Sequence, residues 1–186
     1  MHYLQFDYRE KSLDMVINGL KEAVDKLHDF NKKNPWYDGL FLLEDSEHIF
    51  GLAFVAFQNY INASIKDLTE QGGKELQLRY YRHGEILSPF SYTRIELIIC
   101  LANYIKHKED DSGEFHRHTK NVLEHFNLNT DKQCDITESA VFRGLDLLDE
   151  NWDLNAIKNA VLAWRRSAAS QILGGYATQR ETGNEL

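Results

Sequence analysis

Glu96, Asn103 and His107 stand on one face of an otherwise apolar stretch, IELIICLANYIKH. At ~100° per residue, the three side chains point within about 40° of one another. Such a row is either a satisfied polar seam that fixes helix register or the lining of a functional cleft. A second row, His48, Asn59, Asn62 and Lys66, crosses the apolar stretch from Asp45 to Leu68. Burying an amide or imidazole unpaired costs on the order of 1–3 kcal/mol, so the two rows are expected to face each other, a cleft or an interface. A polar groove is therefore assigned to His48, Asn59, Asn62, Glu96, Asn103 and His107.

The eight histidines raise the question of a metal. Glu114 and His118 are four residues apart, His118 and His125 seven, and Glu44 and His48 four, but no HExxH frame occurs. Cys100 lies in an apolar run and Cys134 in a polar connector, with neither a CxxC pair nor a zinc spacing. Two unrelated reduced thiols are expected, with no metal and no cofactor. Nucleotide-binding GxxxxGK[ST] and GxGxxG loops are absent, as is a GxSxG turn.

Charge is concentrated. The 186 residues carry 29 acids against 21 bases, a net −8, and 12 of the acids against five bases lie between Lys108 and Asp153. An acidic chain disfavours sequence-independent nucleic-acid binding, which needs cations on phosphates. The acidic quarter is instead expected to dock a basic partner, through Asp110, Asp111, Glu138, Asp146, Asp149 and Glu150.

The elements that must position these groups are helices. Only two prolines occur, Pro35 and Pro89. Leu13, Val16, Ile17, Leu20, Val24 and Leu27 predict an amphipathic helix over 10–32, followed by the linker NPWYDGLFLL. The stretch 45–68 is apolar on all sides, as is the one capped by Ser91 or Thr93 and ending at His107, so both belong at the centre of a bundle. Between them lies a short helical piece through Leu76, Leu78 and Tyr81, and further helices are expected over 113–127, 136–150 and 153–173. Gly72-Gly73 and Gly174-Gly175 read as helix stops. The fold class is thus all-α: a single bundle of about six helices over 1–173, then a loose tail over 174–186. No stretch reaches the ~18 apolar residues of a membrane span and no leader pattern opens the chain, so a soluble, cytoplasmic protein is expected.

At Ala102-Asn103-Tyr104-Ile105-Lys106-His107 the chain resembles the HEPN family, small helical-bundle proteins that include ribonucleases of toxin and antiphage systems. The family motif has an Arg, often followed by Asn, five positions before a His. Asn103 and His107 match; Ala102 stands where the Arg would be, and Arg94 lies thirteen positions before His107. The resemblance implies a His that acts as general base on a ribose hydroxyl and an Arg that stabilises phosphate charge, here drawn from elsewhere, such as Arg79 or Arg82.

In type, a small, acidic, helical chain without a catalytic constellation is similar to bacterial immunity proteins of contact-dependent inhibition and related toxin systems. That resemblance implies a non-enzymatic protein that binds and blocks a basic toxin such as a nuclease. A HEPN-like ribonuclease and a helical subunit of a larger assembly are the alternatives.

Overall fold

A computed structural model describes residues 6–69, 74–110, 115–131 and 134–182, with side chains as far as residue 172. Seven α-helices are found among them: α1 (Glu10–Lys33), α2 (Gly39–Thr69), α3 (Lys74–Tyr81), α4 (Arg94–His107), α5 (Arg117–His125), α6 (Ala140–Leu148) and α7 (Leu154–Thr182). One 3-10 turn, Ile136–Glu138, precedes α6, and the sole bridge among the described residues pairs Ile86 with Thr93. The all-α bundle follows from the periodicities, and α2 and α4 form its centre. Phe54, Phe57 and Ile61 of α2 and Leu97, Ile98 and Leu101 of α4 are fully buried.

The chain's polar punctuation explains most boundaries. Asp38 accepts hydrogen bonds from the N–H groups of Leu40 and Phe41 at 2.9 and 3.2 Å, so α2 starts at Gly39 and absorbs half of the expected linker. Thr93, not Ser91, caps α4. Its hydroxyl accepts from the Glu96 N–H, and its own N–H donates to Glu96 Oε2 at 3.0 Å, a reciprocal capping box. Ser139 holds extended backbone (ψ 136°) between the 3-10 turn and α6, splitting the helix expected over 136–150.

Two glycines allow close helix contact. A Cβ on Gly51 of α2 would lie 2.8 Å from Ile105 of α4, and one on Gly144 of α6 would lie 2.5 Å from Leu101. α1 and α7 cover the other side of α2. The segment before α1 is pinned by Arg165 of α7, which donates to the Phe6 carbonyl at 3.0 Å and lies 3.4 Å from Asp7, itself bonded by Tyr60.

α7 does not stop at Gly174-Gly175 but continues to Thr182. A glycine costs a helix only about 1 kcal/mol, and no proline follows to enforce the stop. The side chains of the expected tail, and Gly72-Gly73, lie outside the described residues. Among the described residues no helix is long and apolar enough to cross a membrane.

Candidate functional site

The polar groups of the two central helices meet in a seam closed by α3 and α5. Gln58 and Asn62 are one turn apart on α2; Glu96, Cys100 and Asn103 follow at four- and three-residue steps on α4. Gln58 Nε2 donates to Asn103 Oδ1 at 2.8 Å, and Asn103 Nδ2 donates to Thr119 Oγ1 of α5 at 3.2 Å. Lys106 Nζ donates to Gln58 Oε1 at 2.6 Å. Further along, the Tyr81 hydroxyl at the end of α3 donates to Asn62 Oδ1 at 2.5 Å. Burial pushes the Tyr81 phenol up to about 12, with Cys100 beside it adding to the shift. Burial likewise raises the Cys100 thiol to about 12, and the nearby Glu96 adds to this while a hydrogen bond with Thr119 opposes it. The middle of the seam is therefore neutral and largely satisfied, the arrangement in which a buried network fixes the register of its helices.

One end of the seam is not satisfied. Glu96 is 1% exposed; its Oε2 serves the cap of α4, but its Oε1 accepts no hydrogen bond, and Arg82 Nε lies 3.6 Å from it. The Nε2 of His118 is also buried without a partner. Burial lowers the pKa of His118; the Glu96 carboxylate opposes that shift, and Arg82 and His116 reinforce it. His116 caps α5 by accepting from the His118 N–H.

Of the six residues expected to line one groove, the structure brings Asn62, Glu96 and Asn103 into this seam and distributes the other three. His48 is exposed on α2, and Asn59 lines a cleft between α1 and α2. His107 lies at the far end of α4, about 16 Å from Glu96 at ~1.5 Å per residue. Its Nδ1 is 2.8 Å from Asp110 Oδ2, in the open. The two rows thus do not form a single groove. The partner of Asn103 is Gln58, which the sequence reading passed over although it sits one turn before Asn62.

The acidic residues sort by partner. Glu138 pairs with Arg143 at 2.7 Å, and Asp146 accepts from Trp152 Nε1 at 2.8 Å with Arg143 3.6 Å away. Asp149 accepts from the backbone of Asn151 and Asp153, and so serves the turn into α7. Asp110 stands beside His107, Glu150 is exposed, and Asp111 lies outside the described residues. A smaller cleft of about 120 Å³ lies beside this flank, with Lys108 bonded to Glu47 at 2.6 Å and Ser139 donating to the same carboxylate. The ion pair ties α2 to the end of α4 and the Ser139 bond ties the same carboxylate to the turn before α6, and no sequence pattern announced either.

Among the described residues no three His, Cys, Asp or Glu side chains come together as a cage for a cation. His125, one of the spacing-derived ligands, accepts a hydrogen bond from the Ser91 N–H at 3.1 Å, and Glu114 lies outside the described residues. Compared with protein families, curated proteins and solved structures, the chain finds no match.

Proposed function

We propose that the chain is a non-enzymatic binding protein of the immunity type, which neutralises a basic protein toxin, a nuclease being the kind that the charge fits. The observation that carries this reading is the acidic flank from the end of α4 to the start of α7, where Glu109, Asp110, Asp131, Asp135, Glu138, Asp146 and Glu150 are all exposed. Complementary charge acts on the rate of encounter and selects partners by sign. Arg143 offsets part of this field through Glu138 and Asp146, while Glu109 and Glu150 are exposed at the two ends of the flank. The cytoplasm of a bacterium is where such a protein would act.

The test is protection of cells against, and binding to, a cognate basic nuclease toxin. Wild-type protein should rescue cells and associate more slowly as salt is added. A variant with Asp110, Glu138, Asp146 and Glu150 changed to Lys should keep its helical content and lose both the rescue and the salt dependence. Equal rescue and equal salt dependence in the two proteins would overturn this reading.

A ribonuclease of the HEPN type is a second reading, and one observation favours it: Arg82 stands near Glu96 Oε1 and His118, and that oxygen and the His118 Nε2 are buried without a hydrogen bond. The motif position itself offers less, because Ala102 is wholly buried and His107 faces Asp110. Cleavage of single-stranded RNA that is lost on His118→Ala or Arg82→Ala would favour this reading over the first.

A further inference from the structure

We propose that the outer face of α1 and α2 is the interface of a two-fold homodimer. Ten large apolar side chains are exposed among the described residues, and nine of them lie between Phe6 and Leu52; the tenth is Ile86. They are not scattered along the hairpin. Val16, Leu20, Leu52, Val55 and Ala56 line a cleft of about 620 Å³ between the two helices. At the other end of the hairpin Phe30, Trp36, Tyr37 and Phe41 pack together with centroids 5.1–6.5 Å apart, edge to face except for the stacked Tyr37 and Phe41. Helical spacing puts Val16, Ala23, Leu27 and Phe30 on one side of α1, and Phe41, His48, Leu52 and Asn59 on one side of α2, so cleft and aromatic end belong to one face.

Three features point to a second copy of this chain as the occupant. The first is area: Tyr8, Val16, Phe30, Trp36, Phe41 and Leu52, the exposed apolar side chains of this face, present on the order of 700 Å², close to the ~800 Å² per partner of a standard interface and above the ~300–600 Å² of the largest apolar patch on most monomers. The second is charge. α1 carries five acids and five lysines and is neutral, in a chain of net −8. Lys26 pairs with Glu22, Lys32 with Asp29, Asp14 with Lys158, and Lys21 lies 3.6 Å from Asp153. A strongly basic or acidic partner finds little field to follow along α1, and the exposed acids of the α2 half, Glu44 and Asp45, are few enough for two copies to meet against the neutral helix. The third is relief: Leu52 stands exposed on the wall of the cleft, and Gly19 has nothing over it within 4 Å. A surface holding both ridge and groove can complement itself across a two-fold axis, and a bare glycine lets a second helix approach to 8–10 Å.

Light scattering on the eluting protein tests this. Wild-type chain at about 100 µM should show twice the 21.7 kDa of one chain. Leu52→Lys and Val16→Lys, both at exposed positions, should fall to the single-chain mass with unchanged helical content, and Ile86→Lys should stay at the doubled mass. Hydrogen exchange of the wild-type protein needs no substitution: dilution should remove protection from residues 12–30 and 41–63 and from no other segment. A single-chain mass at that concentration, a doubled mass that survives Leu52→Lys, or a monomer that instead binds phosphatidylcholine vesicles through this face overturns the proposal.

Discussion

Gln58 on α2 and Asn103 on α4 are joined at 2.8 Å across the two central helices, and each is held again from outside, Gln58 by Lys106 and Asn103 by Thr119. Gln58 is 4% exposed, so its amide has no water to fall back on. Asn103→Leu is expected to destabilise the fold by about 1–3 kcal/mol, because it leaves the Gln58 amide short of a partner. Adding Gln58→Leu should recover part of that loss, since two apolar groups then meet where one orphaned amide stood. A double-mutant cycle in urea measures both steps.

His118 should make stability depend on pH in one direction. Burial holds its pKa below the unfolded 6.5. Above that value both folded and unfolded imidazoles are neutral and stability is full. As pH falls below it, the unfolded chain takes up a proton that the folded chain refuses, and stability is lost until the folded pKa is passed. Denaturation at pH 7.5 and at pH 5 should therefore show a drop, and the drop should be smaller in His118→Gln.

Gly144→Ala is expected to cost about 1–3 kcal/mol, since the added methyl would meet the Leu101 side chain at 2.5 Å in a fully buried part of α4. Gly19→Ala, with open space above it in the single chain, should stabilise α1 by up to about 1 kcal/mol when measured in the monomeric Leu52→Lys background. Paired thermal melts under conditions that keep the association state constant check the two signs.

Thiol labelling should distinguish the cysteines. Burial lifts Cys100 to about 12, so at about pH 8 it is protonated as well as inaccessible. Cys134→Ala protein should therefore take up no label until denatured. In the wild-type chain any native labelling should come from Cys134, slowed because partial burial raises its pKa as well.

What the sequence determined by itself was the class of fold and the two helices at its centre. Burial on all sides is written in composition, and an apolar stretch such as IELIICLANYIKH has no solvent-facing side to offer. The capping box was equally local: Thr93 and Glu96 stand three residues apart, and no distant contact is needed to form it. Tertiary structure decided which faces meet. On a helix apolar all round, one residue turns the side chain by ~100°, and that separates Gln58, which reaches Asn103, from Asn59, which faces α1. It likewise decided that Glu96 and His107, aligned on one helix face, serve different places. Alignment fixes an angle about the helix axis, while the about 16 Å between them along that axis puts one under α3 and α5 and the other in the open. The pairing of Glu47 with Lys108 and Ser139, residues 61 and 92 positions away, could come only from packing, because no periodicity within one helix encodes a partner on another.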